Sequence, residues 1–301
     1  MRASFFLGTK TARVKIPPPP TQVPAERAVV VTGSSSGIGR ATALRLARNG
    51  WVVFGGVRSE ADGERLAALH PNLRPVMLDV TNATDLAEAA RSIALGAVPL
   101  RGVVSNAGVA VAGPLEFLPL DAVRSQFEVN VFGALATAQT FMPLLRTTRG
   151  RLVFVGSIAG RLSPPFVGPY AASKHALAAF ADSLRIELHD SGVRVTLVEP
   201  GPVATPIWEK GRAGKDALIA SMPPEAMRHY ARAVAALAAQ AGEEERRGMK
   251  ADDVARAIER ALNAPRPRAR YLLGRPARIQ AAIALLPEDL RDRLIRKAMK
   301  L

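Results

Sequence analysis

The chain has no cysteine among its 301 residues, which excludes disulfides, thiolate nucleophiles and cysteine-ligated zinc. Histidine is scarce as well: His70, His175, His189 and His229 are the only four, and no two form an H-x-x-x-H pair. A metal site built by protein ligands alone is not expected. Aromatic residues make up 5% of the chain, with three tyrosines. No run of eighteen apolar residues occurs, so no transmembrane helix is expected. The first twenty residues contain one short apolar piece, Phe5 to Gly8, too brief for a signal-peptide core. Acidic residues are missing from 1–25, and four prolines fill 17–20. The basic, acid-free start has some presequence character, but the expectation is a disordered, proline-rich extension ending at a stiff linker. A cytoplasmic protein is expected.

What the chain does have is 48% hydrophobic and 22% charged residues, the profile of a globular protein. Its length suits one large α/β domain over 26–301, or two smaller ones. The net charge of +15 raises nucleic acid as a partner, so its distribution matters. Residues 1–25 hold four basic and no acidic residues, 264–301 hold ten and three, and the core 26–263 holds 27 and 23. The excess belongs to the ends. No stacking aromatics or recognition helix accompany it, so no nucleic-acid role is expected.

Strand and helix patterns alternate along the chain. "RAVVVTG", "WVVFGG", "LRPVMLD", "RGVVSNAG", "GRLVFVGS" and "GVRVTLVEPG" read as six strands, with a last one at 269–273. Helical spacing falls at 37–50, 61–70, 83–95, 121–146, 169–190, 206–241, 251–263 and 276–300. That order predicts a doubly wound, Rossmann-type parallel sheet of about seven strands with helices on both faces. Ligands in such sheets bind beyond the carboxyl ends of the strands. Gly33, Asp79, Asn106, Ser157 and Pro200-Gly201 each follow a strand.

"TGSSSGIG" (32–39) joins the first strand to the first helix. Gly33, Gly37 and Gly39 allow a sharp turn and close approach to a ligand, while the N–H groups around Ser35, Ser36 and Ile38 suit a pyrophosphate. The spacing is neither G-x-G-x-x-G nor that of a phosphate-transfer loop. At the end of the second strand Val57 stands where an acid would grip the ribose hydroxyls of NAD, and Arg58 follows. An arginine there can hold a 2′-phosphate, which favours NADP(H) and leaves NAD(H) possible.

"GPYAASKHAL" (168–177) sets Lys174 four residues after Tyr170. On a helix the two share a face, their Cβ atoms ~5–6 Å apart. A fixed cation favours the phenolate and brings a tyrosine towards acid/base work near neutral pH. Taken alone, the pair is equally a surface tyrosine beside a surface lysine.

"TGSSSGIG", "SNAG" (105–108), Ser157 thirteen residues before Tyr170, "YAASK" (170–174) and "EPGPVAT" (199–205) occur in one order. That ordered set resembles the short-chain dehydrogenase/reductase superfamily over roughly 27–205. The "EPG" form is similar to the branch with retinol, 17β-hydroxysteroid and 3-hydroxybutyrate dehydrogenases. The resemblance implies Tyr170 as proton donor and acceptor, Lys174 as its electrostatic partner and ribose holder, and Ser157 as a hydrogen-bond donor to the substrate oxygen. It implies Asn130 as support for a proton-carrying water chain. Asp79 with Val80 would meet the adenine, Asn106, Ala107 and Gly108 would brace the strand beneath the cofactor, and Pro200, Gly201, Val203 and Thr205 would lie near the nicotinamide. Two departures are mild: Ser105 replaces a common asparagine, and Glu199 precedes Pro-Gly where asparagine is usual. The family also implies a homodimer or homotetramer through 121–146 and 169–190.

Around the expected pocket stand Val109, Val111, Leu115, Ile158, Leu162, Phe166, Val203, Ile207 and Trp208. Such an apolar wall suits a small hydrophobic alcohol or carbonyl compound, though some of these are core candidates too. Arg161 is close in sequence but no carboxylate clamp is evident. Residues 206–248 match the family's variable lid, which hides the substrate's identity. The competing readings are a 3-oxoacyl-carrier-protein reductase and a catalytically idle nucleotide-binding scaffold.

Overall fold

The computed structural model describes residues 26–205, 223–232, 242, 246 and 248–299. The expected extension at 1–25, most of the lid, and Ile207 and Trp208 lie outside the described residues; of the pattern at 206–241, residues 224–232 are helical. Seven strands form one sheet: β1 (Arg27–Val31), β2 (Trp51–Val57), β3 (Leu73–Met77), β4 (Leu100–Ser105), β5 (Arg151–Val155), β6 (Arg194–Pro200) and β7 (Arg270–Leu273). Their order is β3-β2-β1-β4-β5-β6-β7, with every neighbouring pair parallel. The chain reverses its direction of travel across the sheet between β1 and β4, so the loops after those two strands flank one crevice.

The strands read as apolar runs because both faces are covered. Along β1, Ala28 and Val30 enter one core while Val29 and Val31 enter the other. The first core meets α3 (Ala83–Ala94), α5 (Gly133–Thr148) and α6 (Gly168–Glu187) through Leu86, Phe141 and Leu177. The second meets α1 (Gly37–Arg48), α2 (Glu60–Ala67) and α7 (Ala251–Asn263) through Leu46, Leu66 and Ile258. Burying each such side chain contributes roughly 1.5–3 kcal/mol before chain entropy is charged against it. Local signals set the ends: Ser59 caps α2 by accepting from Asp62 N at 3.2 Å, and Asn82 caps α3 by accepting from Thr84 N at 2.9 Å.

Two helical expectations are corrected. The span 121–146 is not one regular helix: α4 (Leu120–Phe127) passes through a π turn, Glu128–Phe132, before continuing as α5. The extra residue re-aims the backbone at Asn130. The pattern at 276–300 is two helices, α8 (Arg275–Ile283) and α9 (Glu288–Met299), broken ahead of Pro287, whose ring cannot continue a helix from within.

Candidate active site

The glycine loop has the shape its spacing implies. Gly33 and Gly37 take φ of +66° and +55°, the left-handed region where a side chain is strained. At Gly39 a Cβ would stand 2.1 Å from the Gly33 carbonyl oxygen and 2.5 Å from Asn106 Nδ2, so nothing larger fits. Asn106 closes the cradle from the β4 side. Its Nδ2 donates to the Thr32 carbonyl at 2.9 Å, and Thr32 Oγ1 accepts from both Asn106 N and Ala107 N at 2.9 Å. The N-terminus of α1 points into this crevice with no acid in its first turn and no cap from the Ser36 side chain. A helix N-terminus with approachable N–H groups fits a pyrophosphate.

On the opposite wall, α6 begins at Gly168 with Pro169 in its first turn, which brings Tyr170 and Lys174 onto one face. Lys174 is buried; its Nζ donates to the Val155 carbonyl at 3.0 Å and sits 5.6 Å from the Tyr170 ring centroid. Burial pushes the lysine down from 10.5 to about 8. Tyr170 is half-buried. Ser157 opens a 3₁₀ turn after β5, and its Oγ accepts from Ala159 N at 3.1 Å, so its hydroxyl hydrogen remains for a further acceptor. Asn130 is buried in the π turn. Its Oδ1 accepts from Val109 N at 2.9 Å, while its Nδ2 donates to Val109 O at 2.9 Å and Ser173 Oγ at 3.0 Å. A Cβ on Gly108 would lie 3.3 Å from Asn130 Oδ1 and 3.8 Å from Lys174 Nζ. Asn130, Lys174 and the β4 loop therefore converge on one point.

After β3, Asp79 accepts from Thr81 N at 2.9 Å and Thr81 Oγ1 at 2.7 Å. Partial burial acts to raise its pKa, but the Thr81 hydrogen bonds and the charge of Arg58 leave it below the usual carboxylate range. Val80 is buried under the π turn, where a Cβ on Gly133 would come within 2.6 Å of it. Arg58 is exposed at the end of β2. After β6, Gly201 N donates to Leu273 O at 3.0 Å and Ala204 N to Met249 O at 3.0 Å. Those bonds fix the segment carrying Pro200, Val203 and Thr205, the last two largely buried.

Of the residues expected around the pocket, Val109, Val111 and Phe166 are half-buried and Leu115 is exposed, whereas Ile158 and Leu162 are buried and Val203 belongs to the core. Arg161 turns away from any clamp role, because its fork is taken by Glu199. Phe166 holds a φ of +67°, and its ring meets Tyr230 edge-on at 5.9 Å, as does Phe117 at 6.1 Å. Tyr230 OH donates to Glu116 at 2.9 Å. Thr32, Ser173 and Tyr230 carry no spacing that marks them individually in the sequence. Ser173 donates to the Tyr170 carbonyl at 2.8 Å, and a polar residue between Tyr170 and Lys174 on one helix was the signal available.

A family model described as short chain dehydrogenase matches residues 27–216. An NADPH-dependent 3-dehydrocapnine reductase of Ornithobacterium rhinotracheale is 35% identical over 283 residues, covering 91% of this chain and 98% of its own. The 11-beta-hydroxysteroid dehydrogenase type 2 of Homo sapiens is 36% identical over 289 residues, covering 90% of this chain and 70% of its own. The crystal structure of a short chain dehydrogenase/reductase from Burkholderia phymatum in complex with NAD is similar with a TM-score of 0.72 and 27% identity, covering 91% of this chain and 95% of that one.

Proposed function

The chain belongs to the short-chain dehydrogenase family, and from that premise we propose that it interconverts a hydrophobic alcohol and its ketone or aldehyde, preferring NADP(H). The observation that carries the reading is Lys174, buried and 5.6 Å from the Tyr170 ring centroid. One hydrogen bond to the Val155 carbonyl does not offset the cost of burying a cation there. The cradle formed by Gly33, Ser35, Ser36, Gly37, Ile38 and Gly39 would hold the pyrophosphate, Asp79 and Val80 would border the adenine, and Pro200 to Thr205 the nicotinamide. When bound, the nicotinamide gives or takes the hydride. In reduction, the Tyr170 hydroxyl hands its proton to the carbonyl oxygen, and the Lys174 ammonium favours the phenolate left behind. Ser157 Oγ–H donates to the same oxygen as its negative charge grows. Asn130 keeps the β4 loop and α6 at a fixed separation through Val109 and Ser173. Oxidation runs the same proton steps backwards.

Arg58, with no acid at the end of β2, supports the NADP(H) preference, as does the NADPH dependence of the Ornithobacterium relative. The half-buried Val111, Phe117 and Phe166 support an apolar substrate. The groove of Leu120, Val123, Phe127 and Phe132, which Arg124 and Glu128 also line, supports a homodimer or homotetramer. The test is a panel of steroid, retinoid, aliphatic and acyl-thioester carbonyls assayed with NADPH and NADH, repeated with Tyr170→Phe. Turnover in the variant should fall roughly 10²-fold or more, with NADPH affinity kept. Near-normal turnover in Tyr170→Phe rejects the proton role.

A further inference from the structure

Glu199 places a carboxylate with no solvent exposure near the carboxyl end of β6. Two guanidinium groups share its oxygens. Arg161 donates through Nε at 2.8 Å and Nη2 at 2.6 Å, and Arg270 through Nη1 at 3.0 Å. Arg270 gives its Nη2 to Asp182 on α6, which also accepts from Arg185 at 3.2 Å. One cation would neutralise a buried carboxylate. Two planar forks also fix the direction of everything attached to them.

What is attached is the reacting end of the molecule. On the N-terminal side of Ser157, Gly156 N donates to the Val198 carbonyl at 2.8 Å, one residue before Glu199 on the same strand. On its C-terminal side, the turn that Ser157 opens runs through Ile158–Gly160 and ends at Arg161, held by Glu199. Between these points the turn rests on α6, where a Cβ on Gly160 would come within 2.8 Å of the Lys174 carbonyl oxygen. Asp182 anchors α6 about two turns beyond Lys174. A single carboxylate thus joins the serine turn, two strands and the tyrosine helix.

We propose that Glu199 is a positioning residue. It holds Arg161 on one side and α6, through Arg270 and Asp182, on the other, so that Ser157 and Tyr170 address one substrate oxygen. This rests on the acid/base reading above, and Glu199 itself touches neither substrate nor cofactor. Misplacing a reacting group by about 1 Å costs on the order of 10²-fold in rate.

The test starts with Arg161→Gln. The Arg161 side chain is 33% exposed, and its loss leaves Glu199 paired with Arg270, so the fold tolerates it. Expected results are a kcat lower by roughly 10- to 100-fold, unchanged NADPH affinity, and a larger primary isotope effect with C4-deuterated NADPH. Amide exchange should speed up in 156–162 and 168–174. Glu199→Gln, which leaves two guanidinium groups facing each other, should lose more. The double variant Glu199→Gln/Arg161→Gln should recover part of that loss. Unchanged kcat in folded Arg161→Gln overturns the assignment, and so does a loss that follows global melting with no local change in exchange. If the wild-type protein turns over no carbonyl, the functional reading fails and the exchange measurement decides alone. Faster exchange confined to the two segments upholds the clamp; unchanged exchange there overturns it.

Discussion

Lys174 should make the empty protein less stable than it would be without it. Its pKa falls from 10.5 to about 8 through burial, and at 1.36 kcal/mol per decade that is about 3 kcal/mol. Below pH 8 the lysine is protonated in both states, and the folded state carries the whole penalty. Between about 8 and 10.5 the unfolded chain binds more protons than the folded one, so stability rises with pH. Lys174→Met keeps an unbranched side chain one atom shorter and removes the charge. It also forfeits the 3.0 Å hydrogen bond to the Val155 carbonyl, which from an ammonium donor is worth about 1.5–3 kcal/mol. The variant should therefore be more stable than wild type by about 1 kcal/mol at pH 7, and the two should be nearly equal at pH 10. Urea unfolding of the cofactor-free proteins, followed by circular dichroism at both pH values, reads the difference directly. A Lys174→Met protein less stable than wild type at pH 7, or an advantage that persists undiminished at pH 10, refutes the reasoning. A charged residue kept at such a cost points to chemistry rather than architecture.

The same proton should govern cofactor binding: NADPH affinity should hold nearly steady up to about pH 7 and weaken through pH 8 and above, as the cation is lost, and a flat titration to pH 9.5 argues against a ribose contact by Lys174. Arg58→Asp should weaken NADPH binding by roughly 10- to 150-fold, the worth of a charged hydrogen bond at ~1.5–3 kcal/mol, while NADH binding stays level or improves; equal NADPH and NADH affinities in the wild type remove the basis for this. Light scattering at micromolar concentration should give a dimer or tetramer mass, and Phe132→Arg, placed on a residue 54% exposed, should lower it; a monomeric wild type rejects the interface.

The sheet was legible because its information is local. Each strand is a short apolar run, and α6 and α7 announce themselves by period and punctuation, so strand bounds fell within three residues of those seen. The pair Tyr170 and Lys174 was legible for the same reason, since a helix alone fixes what i and i+4 share. The π turn was not. Nothing in "FEVNVFG" distinguishes it from a regular helix, because its cause is tertiary: Asn130 bonds Val109 across 21 residues and Ser173 across 43. The division of 276–300 into α8 and α9 was signalled by Pro287 but outweighed by the helical spacing on either side.

Glu199 shows where local reading ends. In sequence it is a mild departure before Pro-Gly, and Arg161 an arginine near a pocket. Their meeting depends on β5, β6 and β7 lying side by side, which brings partners 38 and 71 residues away onto one carboxylate. The strand order that creates that meeting also sends Ser157 and the Pro200 segment to the same edge of the sheet. Strand ends gather residues from distant parts of the chain, and the sequence names those residues one at a time without saying which will touch. A glycine spacing or a helical pair can therefore be assigned a role before the fold is known. A buried ion-pair network can be assigned one only afterwards, from the elements it ties together.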